Sequence, residues 1–263
     1  VITYRDNGNS EYGTAIVGTV SGTAISFGTA VVFESAECLY IAATYDSTNN
    51  KIVIAYRDAP NSGYGTSIVG TVSGTAISFG TAVVFESAMA SYIAATYDST
   101  NNKTVISYSD GGNADYGTAI VGTVSGTAIS FGTAVVFESA NLMDISSTFD
   151  SNLNKIVIAY QDVGNAGYGT AIVGTVSGTA ISFGSPTVFE SATSNFNSAI
   201  YDSANNKVVI AYSDNGNSDY GTSVVFQTVS TNNTSFIGIT AEAISSAATG
   251  PVNVYGGINA VQT

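Results

Sequence analysis

Between residues 40 and 85 the chain alternates short apolar, β-branched stretches with clusters of Asn, Asp, Ser and Gly. Four stretches read as strands: Tyr40 to Tyr45, Lys51 to Arg57, Thr66 to Val72 and Thr75 to Phe85. Two turns separate them, Asp46-Ser-Thr-Asn-Asn50 and Ser73-Gly74, both rich in residues that tolerate left-handed backbone angles. In the last stretch Thr75, Ile77 and Phe79 alternate with Ala76 and Ser78, whereas Ile52-Val-Ile-Ala-Tyr56 is apolar on both sides. A strand of the second kind belongs to a sheet that is covered on both faces.

The same pattern recurs along the chain. Tyr-Gly-Thr begins at Tyr12, Tyr64, Tyr116, Tyr168 and Tyr220, a constant step of 52 residues without insertion or deletion. Residues 12–36 and 116–140 are identical, and 64–88 differ from them only by Ser67 in place of Ala15. A four-stranded meander of this length, repeated and packed face to face, predicts an all-β fold, a β-propeller of four-stranded antiparallel blades. Five copies fit a five-bladed ring. The repeats occupy residues 1–235. A divergent C-terminal segment, 236–263, either closes the ring through Pro251-Val-Asn-Val-Tyr255 or opens a further module.

Composition narrows the class of partner. The net charge is −13, from six Lys plus Arg against nineteen Asp plus Glu, and such a surface repels phosphate backbones and anionic lipid. Nucleic acid and membrane insertion are therefore not expected. With 10% charged residues, 28 Gly and no His, the polar surface is built mostly of Thr, Ser, Asn and Gly, which points to an extracellular or virion surface. Cys38 has no second cysteine to pair with. Val1 to Asp6 matches Val53 to Asp58, so the sequence opens within a strand, as a processed product or a fragment would.

Two segments carry a resemblance. The stretch from Tyr45 to Asp58, Tyr-Asp-Ser-Thr-Asn-Asn-Lys-Ile-Val-Ile-Ala-Tyr-Arg-Asp, with Gly65 to Gly74, resembles the repeats of tail-fibre and other virion surface proteins of marine bacteriophages. Phe236 to Ala243 with Gly256-Gly257 is similar to the module that often follows such repeats. This resemblance implies location on a virion or cell surface, with assembly into a fibre as a homo-oligomer, and no particular chemistry. The blades also resemble those of sialidases, in which a small-residue strand lies innermost. On that phase Ile41-Ala-Ala-Thr-Tyr45 is an inner strand, and the first copy lacks its own.

Catalysis finds little support. The sialidase resemblance implies three arginines around a substrate carboxylate, and this chain has Arg5 and Arg57 only. Without His there is no imidazole for acid-base work at neutral pH and no Ser-His-Asp triad. Two carboxylates can suffice for a glycoside hydrolase. Here, however, Glu34, Asp46 and Asp58 recur from copy to copy instead of forming one asymmetric pair.

Two sets of residues are candidates for recognition. The loop Asp-x-x-Asn-x-x-Tyr, exemplified by Asp58, Asn61 and Tyr64, occurs in all five copies. A carboxylate, an amide and an aromatic face suit a sugar, and the loop oxygens suit Ca²⁺ more weakly. The plainer alternative is that Asp and Asn cap a tight turn while Tyr packs. The second set is where the copies disagree: Glu37-Cys-Leu-Tyr40, Met89-Ala-Ser-Tyr92, Asn141-Leu-Met-Asp144 and Thr193-Ser-Asn-Phe196. From these, Leu39, Tyr40, Met89, Tyr92, Asn141, Asp144, Asn195 and Phe196 are predicted to bind. In an up-and-down meander both sets emerge at the same end of the strands, and the invariant turns at the other. The expectation is a non-catalytic adhesin or lectin-like receptor-binding protein for a surface glycan or host receptor, with a structural spacer or decoration protein as the alternative and a glycoside hydrolase third. No cofactor is expected.

Overall fold

A computed structural model describes residues 1–228 and the strand Thr240–Ala243. The chain forms successive antiparallel sheets. In the second, residues 38–46 pair with Lys51–Asp58, which pairs in turn with Tyr64–Ser73. The outer edge of Tyr64–Ser73 is shared by two pieces, Ala76–Phe79 along Gly70 to Ser73 and the next strand, Val83–Asp98, along Tyr64 to Ser67. The predicted strand Thr75 to Phe85 is thus two strands interrupted at residues 80–82, because the chain must shift along the sheet edge to cover both halves.

The largest departure from expectation lies in the strands that join one sheet to the next. Val31–Asp46, Val83–Asp98, Val135–Asp150 and Thr187–Asp202 are each 16 residues long. Their first half is the outermost strand of one sheet and their second half the first strand of the following sheet. The variable tetrapeptides, expected as loops, lie within these strands. There the pairing register slips, between Leu39 and Ala42 in the first case, and the fourth residue of each tetrapeptide takes a left-handed conformation. A bulge of this kind redirects a strand without ending it, so the chain passes between sheets with no connecting loop.

Junctions between sheets repeat one construction. Tyr56, Tyr108, Tyr160 and Tyr212 each donate a hydroxyl to a glutamate of the preceding sheet, Glu34, Glu86, Glu138 and Glu190, at 3.0 Å. A phenyl ring, Phe33, Phe85, Phe137 or Phe189, stands against each tyrosine with centroids 5.2–5.5 Å apart. That ring lies on a glycine: a Cβ at Gly65 would come 2.5 Å from Phe85. The recurrent glutamates are therefore joints between sheets. Asp46, Asp98 and Asp150, by contrast, are buried turn caps that take the backbone N–H groups of their own turns.

The ends of the array differ. Among the described residues, the first sheet has no strand beside Ile2–Asp6 on the side where the later sheets have one. In the fifth, Thr240–Ala243 pairs with Thr222 to Val225. The predicted closing strand, 251–255, lies outside the described residues. Among the described residues no closure of a ring is seen, and no helix is long and apolar enough to cross a membrane.

Candidate functional site

The bulges in the long strands bring the variable positions together. Tyr40, Tyr92, Asp144 and Phe196 occupy one position in successive repeats, with φ of 49°, 49°, 49° and 54°. A bulky side chain with positive φ stores on the order of 1–3 kcal/mol of backbone strain and persists only where the surroundings enforce it. The four residues run in series. The rings of Tyr40 and Tyr92 lie 5.1 Å apart at 48°. Burial, then the neighbouring Tyr40 and Asp144, pushes the Tyr92 hydroxyl pKa up, so it stays protonated as a hydrogen-bond donor. The amide of Phe196 donates to Asp144 Oδ2 at 2.8 Å, and Asn197 Nδ2 donates to the Asp144 carbonyl at 3.3 Å. The result is a series of two tyrosines, a carboxylate and a phenyl ring, with Tyr40 and Phe196 exposed.

Burial within each tetrapeptide explains which positions are free to differ. The second residue, Cys38, Ala90, Leu142 or Ser194, is fully buried under the row. Burial, reinforced by the charges of Glu34 and Asp58, raises the Cys38 thiol to about 12, which keeps it out of any thiolate chemistry. The first residue pairs with the loop tyrosine: Met89 lies opposite Tyr64 and Asn141 opposite Tyr116. Both Met89 and Asn141 are exposed.

The third residue faces a position that was not singled out from the sequence. Leu39 lies opposite Arg57, and Asn195 opposite Ser213. The residues at this position are Arg5, Arg57, Ser109, Gln161 and Ser213, and the three long side chains among them, Arg5, Arg57 and Gln161, also reach the next tetrapeptide along the array. Arg5 Nη1 donates to Glu37 at 3.2 Å and Gln161 Nε2 to Asn195 at 3.0 Å. The guanidinium of Arg57 turns toward Ser91, with Nη1 at 3.5 Å, and its Nε is buried without a partner. The signal was present in the sequence, since this position varies between copies in an otherwise constant Tyr-x-Asp context. An open cavity of about 300 Å³ adjoins the first end of the row, lined by Thr3, Tyr4, Arg5, Cys38, Leu39, Tyr40 and Ile41.

The Asp58, Asn61 and Tyr64 loop is held largely by its own backbone. Gly63 N donates to the Asp58 carbonyl and Tyr64 N to the Asn61 carbonyl, each at 3.0 Å. In the sister loops the Asp side chain takes a backbone N–H: Gly8 for Asp6, Gly112 for Asp110 and Asn165 for Asp162. Turn capping thus accounts for these carboxylates. The loop still adjoins the row, because the backbone of Ala90 bonds to the Gly63 carbonyl. Among the described residues no group of three or more His, Cys, Asp or Glu side chains gathers to hold a metal.

At the opposite end of the strands lie the turns that begin at Asp46, Asp98, Asp150 and Asp202, identical in the first two and differing at one or two positions in the others. Thr48 donates to Asn102 and Thr100 to Asn154, each at 2.6 Å, linking one turn to the next. An open groove of about 480 Å³ between the long strands is lined by Tyr45, Tyr97, Phe149 and Tyr201, again equivalent positions, with Thr and Ser hydroxyls between them.

No protein-family model matches the sequence, and no curated protein matches it. Solved structures do share its architecture. The SapL1 lectin, determined in complex with α-methyl fucoside, superposes over 86% of this chain and 71% of its own with a TM-score of 0.55 at 15% identity. A variant of AofleA from Arthrobotrys oligospora, with three arginines changed to alanine, covers 92% of this chain and 76% of its own with a TM-score of 0.51 at 9% identity. An exo-β-1,3-galactanase from Phanerochaete chrysosporium overlaps 82% of this chain, which spans about half of that protein (51%), with a TM-score of 0.49 at 8% identity. At such identities the likeness is one of fold: this chain is an all-β protein of serial antiparallel sheets, an architecture it shares with a lectin of known structure.

Proposed function

We propose that the protein is a non-catalytic, lectin-like adhesin whose sheets radiate as the blades of a propeller and whose strand bulges present a glycan-binding row on a virion or cell surface. The observation that carries this reading is the series Tyr40, Tyr92, Asp144 and Phe196, four strained residues at one repeat position, with Tyr40 against Tyr92 and Phe196 bonded to Asp144. Aromatic faces stack on the apolar faces of sugar rings, while a carboxylate and phenolic hydroxyls accept and donate to sugar hydroxyls. Strain kept at equivalent positions while the side chain changes is what a binding surface requires of a rigid frame. Flanking contacts come from Leu39, Met89, Asn141 and Asn195, with Asp58, Asn61 and Tyr64 at the margin.

Several acids that could act as a catalytic pair are already engaged, Glu34, Glu86, Glu138 and Glu190 by tyrosine hydroxyls and Asp46, Asp98 and Asp150 by turn amides. This favours binding over hydrolysis. Each contact is weak, and a surface carrying many copies gains avidity by multivalency.

A glycan array probed with the recombinant protein tests the proposal. Binding to a defined set of glycans is expected, with at least a tenfold loss for Tyr40→Ala and Tyr92→Ala. An array without signal would favour the spacer reading, and release of reducing sugar from a bound polysaccharide would favour the hydrolase.

A further inference from the structure

The first three internal junctions bury the same two faces. The face that a sheet turns toward its predecessor carries Ile54, Ile106, Ile158 and Ile210, all 0% exposed, and Ile77, Ile129 and Ile181 at 4–5%. The preceding sheet meets these with its rear face: Val17 shares a cluster with Ile77, Val69 with Ile129, and Val121 with Ile181. Backbones approach closely as well. Gly28, Gly80 and Gly132 lie against Thr75, Thr127 and Thr179 so tightly that no Cβ fits between them.

The first copy is nearly identical to the second, so the first sheet carries the same forward face, with no sheet before it among the described residues. Ile2 is 48% exposed there, Val20 72%, Ile25 51% and Phe27 50%. The fifth sheet carries Ala211 and Val225 at the rear-face positions of Ala55 and Val69. Val225 is 39% exposed where Val69 and Val121 are at 0%, and Ala211 is exposed where Ala55 and Ala159 are buried. Neither set includes a charged side chain.

We infer that the two end faces are the separated halves of one heterologous contact, and that each is covered by the opposite end of a second copy of this chain. The first three internal junctions supply the geometry of the contact, and the near-identity of the repeats supplies its complementarity. A heterologous contact propagates: it yields a closed ring of chains where the rotation closes and a filament where it does not.

Sedimentation of the whole chain over a hundredfold range of concentration tests this, with Ile25→Asp to block the forward face and Val225→Asp to block the rear. The wild type should gain mass with concentration beyond that of a single chain. Each variant alone should remain a single chain, because every contact needs one forward and one rear face. Mixed, the two variants should form a 1:1 dimer and nothing larger, since one intact face remains on each; recovery of that dimer also shows that both are folded. A wild type of single-chain mass throughout, as closure of a ring within one chain would give, overturns the inference. So do a single variant that associates like the wild type and a mixture that stays at single-chain mass.

Discussion

Tyr56 reaches across the junction between the first and second sheets to place its hydroxyl 3.0 Å from Glu34 Oε2. Its ring is fully buried against Phe33, and burial together with the glutamate charge raises the phenol pKa strongly. The pair is a structural hydrogen bond between a neutral donor and a carboxylate, repeated at all four junctions.

Removing one such donor should destabilise the array without altering its surface. Tyr56→Phe keeps the ring and leaves the Glu34 carboxylate short of a partner, a cost of about 1–3 kcal/mol. Urea unfolding should show the midpoint falling with the slope unchanged, because the buried area is retained.

Glu86 and two aspartates also make stability depend on pH. Glu86 lies above the usual carboxylate range, chiefly through burial and then through the charge of Asp110, and burial raises Asp110 and Asp162 too. A carboxyl that is harder to ionise when folded binds more protons in the native state, so stability falls as pH rises from the unfolded value through the raised native one. Thermal unfolding is expected to show stability increasing from neutral pH down toward the ordinary carboxylate range. Glu86→Gln should flatten that dependence.

Phe196 separates function from stability. It is 81% exposed with φ of 54°, so its ring is little packed while its backbone is strained. Phe196→Gly removes the strain and keeps the amide that donates to Asp144. A gain of about 1 kcal/mol is expected in chemical denaturation, with weaker glycan binding. A loss of stability would show that the ring packs in solution.

Cys38 offers a probe of the core under the row. With its thiol pKa raised to about 12, alkylation by iodoacetamide at pH 8 should be slow in the native protein and fast in denaturant. Rapid labelling of the folded chain would mean that the bulge at Tyr40 opens readily.

Much of this was legible along the chain. The 52-residue period, the strand pairs flanking Asp46 to Asn50, and the shared end of the tetrapeptides and the Asp58 to Tyr64 loop all follow from turn chemistry and alternation. The bulges were not legible: Tyr40, Tyr92, Asp144 and Phe196 share no side-chain property that favours positive φ, which is imposed by the pairing on either side. The pairing of Arg57 with Leu39 is not legible for a related reason, since it depends on a strand register that the tetrapeptide's own residues do not signal.

Local chemistry in the sequence was enough to specify the class of fold, its repeat and the end of the strands where diversity gathers, because turn propensity and two-residue alternation act over a few neighbouring residues. Long-range pairing was needed to run sixteen residues through two sheets as one strand, to strain its midpoint, and to line up four unlike side chains from residues 52 apart. Contacts at that separation depend on how whole sheets stack, which no window of neighbouring residues contains.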